Sequence, residues 1–140
     1  MARRDFDPAT VLPDGRAAAK GQLFDPQVVG PWRGTHLGET IRGPVTVLAY
    51  GNDTPGQGPG LHVHPYDELF VILAGRARFF IGNEVIEAGA GEVVLGPAGV
   101  PHRFENIGTG RLQTIDIHHS PRWIQTDVEP SPEDGDMGAD

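Results

Sequence analysis

Between Val45 and His119, glycine and proline turns cut the chain into roughly eight short runs rich in β-branched and aromatic residues. The turns recur at close to the 8–12-residue interval that a β-sandwich or barrel requires. Residues 44–50, 67–74, 77–81, 84–88, 92–96, 100–107 and 111–119 are the clearest of these runs, and no helix-period segment of useful length separates them. With 20 glycines and 13 prolines in 140 residues, the chain can make many tight turns but few long helices. The expectation is one all-β domain, since 140 residues can bury one real core but not two ordinary ones.

The ends read differently. Residues 1–22 are polar, are broken by Pro8, Pro13 and Gly15, and are expected to form a flexible N-terminal arm. Residues 23–126 form the domain; within it, Phe24, Val28, Val29 and Trp32 mark edge strands or a cover for one end of a barrel. His36 has no partner near it in sequence and reads as structural. Residues 127–140 carry six acidic residues and no basic one, so little apolar burial can offset their ordering entropy, and a disordered acidic tail is expected.

Charge and composition exclude several functions. A formal net charge of −8, with Lys20 the only lysine, disfavours nucleic acid and anionic membrane surfaces as partners. The absence of cysteine rules out disulfides, thiolate nucleophiles and Cys-type zinc or iron–sulfur sites. No apolar stretch approaches the ~20 residues of a membrane span, and no apolar run follows Arg3 and Arg4, so a soluble, cytoplasmic protein is expected.

Chemistry concentrates between Gly56 and Gly75. His62 and His64 are two residues apart, and on a strand this spacing sends both imidazoles to one face, with Cα atoms roughly 6.6 Å apart. One ion fits between them. If the strand path resumes after Pro65, Glu68 shares their parity and places a carboxylate oxygen beside their nitrogens, while Asp67 faces away. A second corner repeats the logic between Gly91 and Asn106. Pro97 fixes its φ angle and Gly99 reaches conformations other residues resist, so a sharp turn can present His102 inward, with Phe104 and Asn106 on the same face.

These two stretches resemble the paired motifs of the cupin superfamily. Gly56, His62, His64, Glu68 and Gly75 meet G-x5-H-x-H-x3-E-x6-G; Gly91, Pro97, Gly99, His102 and Asn106 meet G-x5-P-x-G-x2-H-x3-N. The resemblance implies a double-stranded β-helix, or jelly-roll barrel. It also implies one divalent transition metal per chain, held by His62, His64, Glu68 and His102, and a homodimer formed through sheet edges.

Three neutral imidazoles and one carboxylate leave about two positions of an octahedral ion open. Zinc prefers four ligands and would be nearly saturated, so iron or manganese is the expected metal, with nickel, cobalt, copper or zinc able to replace it. Two adjacent open positions suit a small substrate that chelates through two oxygens, such as an enolate or a flavonol-like phenol. A dioxygenase-like oxygenase is the leading expectation. The alternatives are a non-redox isomerase, cyclase or lyase, and a non-enzymatic small-molecule-binding module. Tyr50 and His119 are the acid/base candidates, His119 because it shares strand parity with Ile115 and Ile117, whose apolar character marks their face as inward. On that parity His118 points outward. Phe70, Ile72, Phe79 and Phe104, with Phe80, are the candidate apolar wall of the substrate pocket.

Overall fold

The computed structural model describes residues 2–129. Ten strands follow in order among them: β1 Gly34–His36, β2 Thr46–Asn52, β3 His62–Val63, β4 Glu68–Ala74, β5 Arg76–Ile81, β6 Glu84–Gly89, β7 Val93–Gly96, β8 His102–Asn106, β9 Leu112–His118 and β10 Thr126–Asp127. They form two five-stranded sheets, ordered β1-β2-β9-β4-β7 and β10-β3-β8-β5-β6. Every pairing is antiparallel. Apart from the β5–β6 hairpin, successive strands from β2 onward alternate between the sheets, the winding of a jelly roll. No helix among the described residues is long and apolar enough to cross a membrane.

Local chemistry explains the two kinds of turn. Gly82 and Asn83 close the β5–β6 hairpin, with Ile81 opposite Glu84 and Gly82 at φ 57°. Gly75 instead marks a corner at which the chain leaves one sheet for the other. Its φ is 82°, and a Cβ there would lie 2.4 Å from the Arg111 carbonyl oxygen, so only glycine permits the close crossing.

The core lies between the sheets. Phe70, Phe79 and Phe104 have no exposed surface and meet with ring centroids 4.9–5.6 Å apart. Tyr50, Ile72, Ala77, Ile81, Ala88, Val94 and Leu112 complete the cluster. Burying each large side chain contributes about 1.5–3 kcal/mol before ordering costs. The core occupies one length of the barrel, and the buried His62, His64, Glu68, His102, Asp116 and His118 gather at the other end.

Residues 2–22 are exposed and contain no strand, and Gly21 lies against the His36 ring. The acidic tail does not begin at 127. Asp127 belongs to β10 opposite His62, and the Val128 and Glu129 amides donate to the Leu61 carbonyl at 2.8 and 3.0 Å. Backbone pairing to β3 orders these residues without any apolar burial of their own. The rest of the expected tail, 130–140, lies outside the described residues.

Candidate metal centre

Strand register converges four side chains on one end of the barrel. His62 on β3 is directly opposite His102 on β8, while Glu68 begins β4 in the other sheet. The corner before β8 is clamped by the first histidine stretch. The Asp67 carboxylate accepts from the Ala98 amide at 2.8 Å, and the His64 carbonyl accepts from the Gly99 amide at 2.9 Å. Asp67 therefore faces away from the site, as alternation requires, and holds the turn that delivers His102.

One ligand atom from each of His62, His64, Glu68 and His102 lies within 4.8 Å of the others, and all four residues are buried. Glu68 Oε1 is 3.0 Å from His64 Nε2 and 3.0 Å from His102 Nε2. With metal–ligand bonds of about 2.1 Å, adjacent donors on an octahedral ion are about 3.0 Å apart, against about 3.4 Å for a tetrahedral one. The two Glu68 spacings are also hydrogen-bond distances, and they bring the two imidazole nitrogens close enough to Oε1 for one ion to join all three.

The imidazoles are oriented from behind. His62 Nδ1 donates to the Gly60 carbonyl at 2.7 Å, His64 Nδ1 to the Ile124 carbonyl at 2.8 Å, and His102 Nδ1 faces the Val100 carbonyl at 3.3 Å. With Nδ1 protonated, His62 and His64 each offer the Nε2 lone pair inward, whereas His102 Nε2 is hydrogen-bonded to Glu68 Oε1 at 3.0 Å and would turn its lone pair inward with the proton moved to Nδ1. His62 Nε2 and His64 Nε2 are buried without a hydrogen-bond partner, a costly arrangement for which a bound cation is the natural compensation. Burial, followed by the charge of His102, lowers the His62 pKa to about 4, which keeps this imidazole neutral and able to ligate. Burial pushes the Glu68 carboxyl the other way, but the imidazoles of His102, His118 and His64 that face it outweigh burial and hold the group well below the usual range. The site thus sets a neutral His62 nitrogen beside an anionic Glu68 oxygen.

Further groups surround Glu68. His118 ends β9 with its ring inward and no exposed surface. Its Nε2 is 3.1 Å from Glu68 Oε2, off the axis of an aligned hydrogen bond, and its Nδ1 is 2.7 Å from the Tyr66 hydroxyl. Tyr66 also stacks on His64, at 5.1 Å and 12°, and accepts from the Ile124 amide at 3.1 Å. Its pKa is pushed up to about 12, chiefly by burial. Asp116, two residues earlier on the same face, is fully buried with neither oxygen hydrogen-bonded. Desolvation, then the Glu68 charge, raises its pKa well above that of an ordinary carboxyl.

These placements correct the acid/base candidates. His119 is exposed, and His118 is the inward histidine. On β9 the inner face carries Leu112, Thr114, Asp116 and His118, whereas Ile115 and Ile117 lie half-buried on the outer face opposite Val71 and Leu69. Apolar character marked the wrong side of the strand because the inner face holds the polar site. Tyr50 is inward but four residues along β2 from Thr46, the residue opposite His118, or about 13 Å at strand rise. Its hydroxyl accepts from Asn52 at 2.9 Å and its ring meets Phe104 edge-on, so it belongs to the core and not to the ligand cluster. Of the expected apolar wall, Phe70 approaches the site, 5.5 Å from the His102 ring. Ile72, Phe79 and Phe104 are enclosed in the core, and Phe80 turns outward beneath the Arg103 guanidinium.

Tyr66, His118 and Asp116 were missed by the sequence reading; the adjacent histidines at 118 and 119 were the available signal. Asn106, by contrast, serves the far end of the barrel. Its side chain donates to Asn52 and Gly110 and accepts from the Gly108 amide, tying the end of β2 to the β8–β9 loop.

Comparison with known proteins agrees with this geometry. Residues 51–118 match the family model described as the cupin domain. An uncharacterized protein of Streptomyces coelicolor is 41% identical over 44 residues, 31% of this chain and 42% of that protein. An uncharacterized protein of Methanocaldococcus jannaschii is 34% identical over 62 residues, 44% of this chain and 50% of that protein. The chain thus spans half or less of the length of these curated relatives. Among solved structures, Bacillus subtilis oxalate decarboxylase, in a study of its Mn(II) centres, aligns with a TM-score of 0.63 at 20% identity, over 69% of this chain and 27% of that one. That likeness is one of fold.

Proposed function

Since this chain belongs to the cupins through its domain at residues 51–118, we propose that it is a metal-dependent enzyme, an oxygenase of the dioxygenase kind acting on a small substrate that chelates through two oxygens. The observation that carries this reading is the buried convergence of His62, His64, Glu68 and His102, a donor set of three nitrogens and one oxygen that on a six-coordinate ion leaves about two positions for other ligands. Iron or manganese meets that geometry; the Mn(II) centres named for the Bacillus oxalate decarboxylase lend manganese added weight. An ion so held supplies Lewis acidity that lowers the pKa of a coordinated hydroxyl and, if redox-active, a route to dioxygen.

The chain's own residues supply the remainder. Glu68 stays ionised against its burial because imidazoles face it, and so offsets part of the charge that the histidines leave uncompensated. His62 stays neutral at physiological pH. Phe70 gives one side of the site an apolar surface, and Trp123 and Ile124 lie over the His118 and His64 edges, where they limit access of water.

The same ligand set serves a non-redox isomerase, cyclase or lyase without change, and dioxygen separates the two. The test is oxygen uptake by anaerobically loaded Fe(II) or Mn(II) protein over a panel of flavonols and diketones. Metal-dependent oxygen consumption is expected. Turnover of the same substrates under nitrogen, with zinc or nickel equally effective, would move the assignment to the non-redox class.

A further inference from the structure

We propose that His118 is a positioning residue that confines Glu68 to ligation through one oxygen, and that Tyr66 sets the tautomer of His118 that makes this possible. The inference rests on the metal reading above and concerns what keeps two coordination positions open. A carboxylate can ligate through one oxygen or two. If Glu68 used both, three histidines and a bidentate Glu68 would leave about one open position on a six-coordinate ion, too few for a chelating substrate.

The structure assigns each oxygen of Glu68 a different task. Oε1 is the oxygen at 3.0 Å from both His64 Nε2 and His102 Nε2, within the ligand cluster. Oε2 lies 3.1 Å from His118 Nε2, and both atoms are buried without an aligned hydrogen-bond partner among the described residues. The terminal carboxylate torsion is broad and soft, so a small rotation aligns the pair at little cost. His118 itself is not one of the four residues whose ligand atoms lie mutually within 4.8 Å, a limit already wider than the ~4.2 Å between opposite donors of an octahedral ion.

The tautomer follows from the partners of Tyr66. Its hydroxyl oxygen accepts from the Ile124 amide, which leaves the hydroxyl proton to be donated to His118 Nδ1 at 2.7 Å. A neutral imidazole that accepts at Nδ1 carries its proton on Nε2, the atom facing Glu68 Oε2. The order is Tyr66 O–H to His118 Nδ1, then His118 Nε2–H to Glu68 Oε2, with Oε1 left to the ion. The edge of Trp123, 5.6 Å from the His118 ring, and the ring of His64 at 4.4 Å limit its rotation.

The test counts exchangeable waters on protein-bound Mn(II) by water-proton relaxation, and coordinated imidazole nitrogens by pulsed EPR. Wild type is expected to show about two waters and about three imidazoles. His118→Ala is expected to keep the imidazole count, fall to about one water, and lose ~10-fold or more in Mn(II) affinity. His118→Gln, which returns an amide N–H close to the Nε2 position, is expected to restore the second water. Tyr66→Phe should lower the water count in the wild-type background and leave it unchanged on top of His118→Gln, a comparison that stands even if His118→Ala does not fold. A water count of about two in His118→Ala with Mn(II) retained, a Tyr66→Phe effect that persists in His118→Gln, or about four imidazoles in wild type would each overturn the proposal. A wild type that takes up no Mn(II) would sink the metal reading itself, whereas a wild type that binds it with a water count indifferent to His118 sinks only this inference.

Discussion

His64 Nδ1 donates to the Ile124 carbonyl at 2.8 Å, joining a residue of the first histidine pair to the segment that follows β9. That segment returns across the site: the Ile124 amide holds Tyr66, Trp123 meets His118, and β10 pairs with the strand that bears His62. The ligand cluster is therefore oriented by a part of the chain that contributes no ligand.

A chain ending at Arg122 should consequently retain all four converging side chains and bind metal less well. Loss of the Ile124 carbonyl frees the His64 ring and its tautomer, for which a ~10–100-fold loss of metal affinity is expected. Competition with a chromogenic chelator measures it. Unchanged affinity would show that the β3 backbone alone orients His64.

Asp116 should make stability fall as pH rises. Its folded-state pKa is raised by burial, so the group is comfortable when protonated, at and below its unfolded value of about 3.9, and loses stability as pH climbs toward its folded value. Asp116→Asn removes this dependence. Relative to wild type, the variant should gain about 1.4 kcal/mol per pH unit across that window and level off above it. Urea denaturation at several pH values provides the comparison; a constant difference would contradict the assignment.

His62 acts in the opposite direction. Its pKa falls from 6.5 unfolded to about 4 folded, so the unfolded chain binds more protons between those values and stability is lost as pH drops through them. The full cost is on the order of 3 kcal/mol for the metal-free protein. His62→Gln should flatten that part of the stability profile. A profile unchanged by the substitution would show that His62 is not the group responsible.

Much of the fold and most of the ligand cluster were legible because they rest on short-range rules. The two-residue spacing of His62 and His64 fixes a common face, and Gly75, Gly82 and the Pro97–Gly99 corner break the chain where the strands end. What escaped depends on contacts across the fold. Tyr66 lies off the strand, between β3 and β4, and reaches His118 over 52 residues. Ile124 acts through its backbone, for which a side chain gives no sign. On β9 the usual inference from apolar residues inverted, because Asp116 and His118 face inward around Glu68 while Ile115 and Ile117 cover the outer surface. Β10 escaped for a related reason: two exposed residues held by backbone pairing carry no hydrophobic pattern.

The central claim is that His62, His64, Glu68 and His102 together hold one divalent ion. Anaerobic calorimetric titration of metal-stripped protein with Mn(II) tests it most directly, with Glu68→Gln and His102→Ala titrated in parallel. The account predicts about one ion per chain in wild type and a loss of more than ~100-fold in affinity in each variant, beyond the range seen when only a supporting residue is removed. Absence of binding in wild type, or binding as strong as wild type in both variants, would contradict it.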